Sequence, residues 1–219
     1  TMLPNSMEFV EKELNDAMTH GITDLWVINA SNIKPHVYPL SFIANLWKRN
    51  ALSAVEHRKK YVGEYYGSDC TENQLIFMEE CISRYPEAML PFGDREDEHA
   101  GEQFCNYAVR DFIHGWMKDG ALEPVEELFW CTREDAFYKQ VSWFEKRCSQ
   151  TYDKIEELCH KCAAVKESEL WKDSILLQTE IHKHCLKGSI LFAESFWAYR
   201  EADLKKAFFL LGNAVEAYD

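Results

Sequence analysis

The stretch Phe137-Tyr-Lys-Gln-Val141-Ser-Trp-Phe144-Glu-Lys-Arg-Cys148 decides the fold class, because its apolar residues recur every seven positions. The repeat continues to residue 165. One core position is held by Phe137, Phe144, Leu158 and Val165, with the polar Thr151 as the exception, and the other by Val141, Cys148, Ile155 and Cys162. Such a stripe is typical of a long helix packed along its side against other helices, and about 30 residues at 1.5 Å each span about 45 Å.

Helical patterns also occupy most of the remaining sequence. Apolar residues on one helical face predict helices over 6–20, 71–84, about 96–118, 132–165, 171–199 and 204–215. The last helix carries its apolar line on Leu204, Phe208, Leu211 and Val215. We therefore predict a mainly α chain with a bundle of about five helices.

The first 52 residues follow a different pattern. Asp24-Leu-Trp-Val-Ile-Asn29 is apolar on both faces, which is typical of a strand buried in a parallel sheet. A helix ending near Gly21 precedes it, and a loop with two prolines leads to another helix from about Leu40. This helix–strand–loop–helix order is one repeat of an α/β protein. We therefore predict an incomplete βα barrel-like segment over 1–52 and an all-α domain over 53–219.

Composition and charge exclude several function classes. Of the 219 residues, 47% are apolar and 14% aromatic, and the net charge is −13 with a pI near 5.1. This charge opposes binding to nucleic acid or anionic lipid. No apolar run approaches the roughly 20 residues of a membrane span, and no glycine-rich phosphate-binding motif occurs. We predict no nucleic-acid partner, no membrane partner and no cofactor.

The number and placement of the cysteines indicate the cellular compartment of the protein. The chain has eight cysteines, mostly in helical pattern, and it is large enough to build a core without disulfides. We expect them to be reduced core residues, which predicts a cytoplasmic location. A secreted parent protein stays an open alternative.

Two short motifs have the spacing of zinc half-sites, Cys159-His-Lys-Cys162 and His182-Lys-His-Cys185. If the chain reverses near residues 166–168, the motifs are offset by about ten residues, which is about 15 Å of helix. Cys162 also lies in the apolar stripe. We therefore expect no metal site and interpret these cysteines as core thiols.

A run of acidic residues, Asp94-Arg-Glu-Asp-Glu-His99-Ala-Gly-Glu102, allows two interpretations. It could form a hard-cation site or part of a polar ligand pocket. It could instead be a helix start, where acidic side chains interact favourably with the helix dipole. We favour the helix start, because the ligand spacing of an EF-hand is absent.

Polar residues follow the predicted strand. Asn29, Asn32, Lys34 and His36 supply amide, cationic and imidazole groups at its C-terminal end, where parallel α/β proteins hold ligands. A polyhydroxylated or anionic ligand would suit them. The alternative is that both asparagines cap a turn and that Lys34 is solvated.

Residues 21–42 resemble glycoside hydrolase family 115. The family pattern W-[IV]-[VL]-N-[VA]-[GS]-[DN]-x-K-P-x-E-x-P-[IL]-x-F is matched by Trp26-Val-Ile-Asn-Ala-Ser-Asn-Ile-Lys-Pro-His-Val-Tyr-Pro-Leu-Ser-Phe42. Two departures matter: Asn32 stands where Asp is usual, and His36-Val-Tyr38 replaces the more common acidic version. The helical remainder agrees weakly in layout with the all-α domain that follows the barrel in that family.

The resemblance implies part of an inverting hydrolase similar to xylan α-glucuronidases, which release glucuronic or 4-O-methylglucuronic acid. It implies a carbohydrate partner in the parent protein, with Asn29 as a sugar contact and Lys34 fixing the loop. The catalytic acid and base would lie on barrel strands outside this chain, so we expect no catalytic residue here and no activity of the chain alone. The helical domain would shape the pocket or form a homodimer contact. The alternative is a non-catalytic helical interaction module.

Overall fold

The computed structural model describes residues 2–30, 32–49, 52–68, 70–95, 97–165 and 168–219. The chain forms two compact units. One comprises Thr1–Glu87 and Leu158–Thr179, and the other comprises Ala88–Glu157 and Glu180–Asp219.

The N-terminal part of the first unit has four helices in its described residues, and three of them begin at a capping side chain. They are α1 (Met7–Thr19), α2 (Val37–Trp47), α3 (Ala54–Tyr66) and α4 (Glu72–Arg84), with a 3-10 turn at Lys34–His36 before α2. The Ser6 hydroxyl accepts a hydrogen bond from the third residue of α1, while Ser53 and Thr71 form capping boxes on α3 and α4. After α1 the chain turns at Gly21, whose φ of 86° suits glycine.

The rest of the chain is also mainly helical, so the predicted fold class is confirmed. The elements are β1 (Leu90–Pro91), β2 (His99–Ala100), α5 (Glu102–Asp119), α6 (Phe137–Cys162), α7 (Glu169–Trp171), a π-helical turn (Lys172–Leu176), α8 (Leu177–Arg200) and α9 (Leu204–Tyr218). The two short strands pair antiparallel, with Leu90 opposite Ala100.

The seven-residue stripe of α6 is buried as predicted. All nine of its positions, from Phe137 to Val165 and including Thr151, are at most 3% exposed. In the second unit, α6 and α8 are neighbours: the rings of Phe137 and Phe196 lie 5.2 Å apart, and Trp197 Nε1 donates to Glu145 Oε2 at 2.7 Å. The predicted packing of these two long helices is confirmed there.

The predicted strand Asp24–Asn29 is wrong. Residues 25–30 have no regular secondary structure, and Leu25 and Val27 are 73% and 87% exposed. A strand needs a neighbour for its backbone hydrogen bonds. The strands in the described ranges, β1 and β2, bond to each other. Trp26 instead packs edge-to-face on Trp47, with ring centroids 4.9 Å apart.

The acidic run also differs from the favoured interpretation. Helix α5 begins at Glu102 and not near residue 96, which itself lies outside the described residues. Asp94 and Arg95 lie in the turn between β1 and β2, where both backbone N–H groups donate to Glu98 Oε2, at 2.7 and 2.9 Å. These bonds hold the pKa of Glu98 below its usual value. Among the described residues of this run, Glu102 alone lies at a helix start.

Helix α9 is present where predicted, but its apolar line faces outward. Phe208 and Leu204 are 82% and 63% exposed. The buried side of α9 consists of alanines, at positions Ala207, Ala214 and Ala217. Small residues let α9 lie close to its neighbours, and the large apolar side chains stay in solvent.

Among the described residues, no helix combines the length and the apolar composition that crossing a membrane requires.

Candidate functional site

The predicted site residues lie on the exposed chain between α1 and α2. Asn29, Asn32 and Lys34 are exposed, and His36 is half-buried. The His36 imidazole lies with Nδ1 2.6 Å from the Asn32 carbonyl oxygen, so Nδ1–H donates to it. Asn29 forms no side-chain hydrogen bond with the described residues, which leaves its amide open to solvent.

Lys34 forms an ion pair with a residue 139 positions further along the chain. Its Nζ lies 3.3 Å from Asp173 Oδ2, in the π-helical turn before α8. Both side chains are about two-thirds exposed, so the ion pair contributes little to stability. The contact directs the lysine side chain towards the π-helical turn.

Helix α2 anchors this loop to the core of the first unit. Pro35 lies in the first turn of the 3-10 segment Lys34–His36, which runs directly into α2. Tyr38 and Phe42 on α2 are buried, at 7% and 0% exposure. Burial raises the pKa of Tyr38 to about 12, against the opposing charge of Arg58. The loop therefore has a rigid C-terminal anchor and an open N-terminal arm.

An open hollow of about 630 Å³ lies next to this arm. Its lining residues are Glu11, Asn15, Met18, Thr19, Thr23, Leu46, Arg49, Leu52 and Ser53. Glu11 Oε2 accepts from the backbone N–H of Ala54 at 3.1 Å, at the start of α3. The four predicted site residues are not part of this lining.

A second hollow, of about 310 Å³, brings a serine and a histidine together. Ser41 Oγ lies 3.2 Å from His57 Nε2. The serine hydroxyl already donates to the Tyr38 carbonyl at 2.7 Å, so the contact is a donation from Nε2–H to the serine oxygen. Burial first, and then the charge of Lys60, lowers the pKa of His57. In this arrangement His57 cannot accept the serine proton, and the pair is not an activated nucleophile.

The cysteines of the first zinc-like motif lie in the core of the first unit. Cys159 and Cys162 are 5% and 0% exposed. Cys162 hydrogen-bonds to Cys81, which lowers the pKa of the Cys81 thiol and raises that of Cys162. Within the described ranges, which omit residues 166 and 167 of the expected reversal, no group of three or more His, Cys, Asp or Glu is placed to hold a metal ion.

Sequence reasoning missed two contacts that involve a buried histidine. The Ser41–His57 contact joins residues 16 positions apart on different helices. In the second unit, His182 Nε2 lies 3.6 Å from Glu102 Oε2, and the His182 side chain is only 4% exposed. Burial lowers the pKa of His182 to about 4, although Glu102 acts in the opposite direction. No spacing pattern signals either pair, because each depends on tertiary packing.

Comparison with family models identifies the N-terminal part of the chain. Residues 1–89 match the family model of glycosyl hydrolase family 115, which covers 89 of 219 residues and includes the whole of the motif at 26–42. The resemblance noted in the sequence is confirmed for this part of the chain. Neither the curated proteins nor the solved structures contain a match to the chain.

Proposed function

Because residues 1–89 match glycosyl hydrolase family 115, we propose that this chain is part of a glycoside hydrolase similar to xylan α-glucuronidases. The reaction would be the inverting release of glucuronic or 4-O-methylglucuronic acid from xylan-derived substrates. The family match carries the proposal, because it includes the loop with Asn29, Asn32, Lys34 and His36.

The exposed segment at residues 25–28 supports this proposal. Leu25 and Val27 are among the most exposed large apolar side chains of the chain. A sequence that is apolar on both faces is typical of a strand with a sheet neighbour on each side and helices over its faces. Further segments of a longer parent protein would cover these apolar side chains.

We assign the four residues of the loop to sugar binding. The exposed Asn29 amide can both donate to and accept from sugar hydroxyls. The His36 imidazole donates a hydrogen bond to the backbone carbonyl of Asn32, and Lys34 is oriented by Asp173. No residue of this chain is proposed as the catalytic acid or base, and no cofactor is required. Residues 1–52 would belong to the barrel and 53–219 to the helical domain, in a cytoplasmic or a secreted parent.

The test measures glucuronic acid release from aldouronic oligosaccharides. The 219-residue chain should release none. Inversion needs a catalytic acid and a catalytic base at separated positions, and the proposal assigns both to other parts of the longer protein. In the longer protein, Asn29→Ala should lower kcat/KM by roughly 10- to 100-fold, which is about 1.4–2.7 kcal/mol for a hydrogen bond to the transition state.

The matched control is Asn73→Ala, which removes an exposed amide on α4 outside the motif. It should leave kcat/KM unchanged. Turnover by the 219-residue chain would contradict the assignment of catalysis to other parts of the protein. Equal activity of the Asn29→Ala and Asn73→Ala enzymes would remove Asn29 from the sugar site.

A non-catalytic helical interaction module is the second candidate. The outward apolar line of α9 favours it, because monomeric proteins rarely expose such continuous patches. A longer protein that binds the oligosaccharides but never hydrolyses them would favour this module over the hydrolase.

A further inference from the structure

Two cysteine thiols from distant parts of the sequence meet in the core of the first unit. Cys81 lies on α4, in the segment Thr1–Glu87 of that unit. Cys162 lies at the end of α6, in the segment Leu158–Thr179. The two residues are 1% and 0% exposed, and their side chains hydrogen-bond to each other. This thiol contact therefore joins the two stretches of chain from which the first unit is built.

A second contact between the same two helices flanks the thiols. Lys161 Nζ lies 3.5 Å from Glu80 Oε1. These residues directly precede Cys162 and Cys81 in the sequence, so α4 and α6 approach each other at this point. The backbone of Cys162 is fixed in addition by the hydrogen bond that Trp171 Nε1 donates to its carbonyl. Thiols held in this way need only a small change of side-chain rotation to reach the disulfide bond length of about 2.05 Å.

The surroundings of Cys81 favour its thiolate, which is the reactive form of a cysteine. The hydrogen bond with Cys162 is the largest influence, and it lowers the pKa of the Cys81 thiol. The positive charges of Lys161 and Arg84 lower this pKa further, while burial and the charge of Glu80 raise it. The same hydrogen bond raises the pKa of Cys162. Cys81 therefore has the character of an attacking thiol, and Cys162 that of the thiol which reacts second.

We propose that Cys81 and Cys162 form a site of reversible oxidation, at which a peroxide converts the two thiols to an intramolecular disulfide. The Cys81 sulfur attacks one oxygen of hydrogen peroxide, the O–O bond breaks, and the other oxygen leaves as water with the Cys81 proton. Cys81 is then a sulfenic acid. The Cys162 sulfur attacks the Cys81 sulfur, the S–O bond breaks, and a second water leaves with the Cys162 proton. Two thiols are oxidised, and one peroxide is reduced to two waters.

The positions of both thiols near helix ends give the oxidant a route to them. Cys81 lies in the last turn of α4, which ends at Arg84, and Cys162 is the last residue of α6. The ends of helices open more readily than their middles. A molecule as small as hydrogen peroxide therefore reaches these sulfurs through local opening, although both are buried in the closed structure.

The second unit contains a pair of thiols that serves as an internal control. Cys105 and Cys148 are 2% and 0% exposed, and their side chains also hydrogen-bond to each other. Cys148, however, lies in the interior of α6, and burial raises the pKa of its thiol well above the usual value. This pair has neither the helix-end position nor the lowered pKa of Cys81. We expect it to stay reduced under the conditions that oxidise Cys81 and Cys162.

The first test maps the disulfide in the 219-residue chain. The reduced protein is treated with an equal concentration of hydrogen peroxide, its free thiols are blocked with N-ethylmaleimide, and the denatured protein is cleaved after Lys, Arg and Glu. Because Glu80 and Lys161 precede the two cysteines, Cys81 and Cys162 begin separate peptides that contain no other cysteine. We expect these two peptides to be linked and the number of free thiols to fall from eight to six. Dithiothreitol should reverse both changes.

The second test measures the effect of the bond on thermal unfolding. A disulfide from Cys81 to Cys162 closes a loop of about 80 residues and so restricts the unfolded chain. Peroxide treatment should therefore raise the melting temperature of the wild-type chain by at least about 5 °C, measured by circular dichroism. Cys81→Ala should show no such shift. Cys105→Ala is the matched control, because it also removes a buried thiol and should keep both the linked peptides and the shift.

The peptide map of the wild-type chain decides the proposal even if Cys81→Ala does not fold. Unlinked Cys81 and Cys162 peptides after peroxide treatment would overturn it. A link between Cys105 and Cys148, or between Cys159 and Cys162, formed in place of the expected one would overturn the assignment of this pair. A linked chain that melts no higher than the reduced chain would show that the bond does not fasten the two segments of the first unit.

Discussion

The indole Nε1 of Trp171 donates a hydrogen bond to the backbone carbonyl of Cys162, at 2.9 Å and out of contact with solvent. Cys162 is the last residue of α6, where carbonyl groups lack partners within the helix. Trp171 is itself 0% exposed. The Trp171 side chain on α7 therefore caps the C-terminal end of α6 in the first unit.

Trp171→Phe should destabilise the protein by about 1–3 kcal/mol, because it removes this buried hydrogen bond and part of a packed ring. Urea unfolding monitored by circular dichroism measures the change. The control Trp130→Phe alters a 64% exposed indole and should stay within about 0.5 kcal/mol of wild type. Equal effects of the two substitutions would show that the bond to Cys162 contributes nothing.

Phe144→Ala should cost about 3–5 kcal/mol, because the ring is 0% exposed and packs against Phe112 at 5.6 Å between centroids. The same unfolding measurement applies. Phe209→Ala removes an equally large ring that is 65% exposed, and it should be nearly neutral. A small effect of Phe144→Ala would mean that the stripe of α6 does not form the core.

Gln140→Met should destabilise the second unit by about 2–4 kcal/mol. The Gln140 amide is fully buried, accepts from the backbone N–H of Val125 at 2.7 Å and donates to its carbonyl at 3.0 Å. Methionine has a similar size but leaves both backbone groups without their partner. Gln103→Met, at an exposed position of α5, is the control. If both methionine variants unfold at the same urea concentration, the Val125 pairing is not a source of stability.

His182 should make the protein less stable in mild acid. Its folded-state pKa of about 4 lies below the ordinary value of 6.5, so the unfolded chain takes up the proton first as pH falls. The stability that the buried, neutral imidazole adds to the free energy of unfolding is fully present above pH 6.5. It is lost progressively as the pH falls from 6.5 to 4. Lowering the pH from 7.5 to 5.5 should cost about 1 kcal/mol through this group.

The comparison uses His182→Gln, which cannot titrate. The difference in unfolding free energy between pH 7.5 and 5.5 should be smaller in this variant than in the wild-type chain. His57, whose pKa is also lowered by burial, acts in the same direction in both proteins. An identical pH dependence in the two chains would show that His182 is not buried in its neutral form.

Local sequence signals predicted most of the helices. Thr71 caps α4, and the stripe beginning at Phe137 is buried along its whole length, because both depend on residues within a few turns of one another. The predicted strand at 24–29 failed for the opposite reason. Its apolar composition describes the environment of a strand, but a strand forms only beside another strand, and this chain supplies none for it in the described ranges.

The candidate site was predictable only as a set of residues. The motif placed Asn29 to His36 in one loop, and the family match covers that loop. The ion pair from Lys34 to Asp173 joins residues 139 positions apart, and no local pattern encodes it. The buried face of α9 could not be predicted either. An amphipathic pattern does not say whether the side with the alanines or the side with the phenylalanines lies inward.

The uncovered segment Leu25-Trp-Val-Ile-Asn-Ala30 also affects the colloidal behaviour of the isolated chain. It is a six-residue run without charge or proline whose first four residues are large and apolar, the kind of sequence that can seed intermolecular sheets. At pH 7 the net charge of −13 keeps the molecules apart by mutual repulsion. Near pH 5.1 this repulsion vanishes while the segment stays exposed. The net negative charge of the chain therefore protects this apolar segment from precipitation.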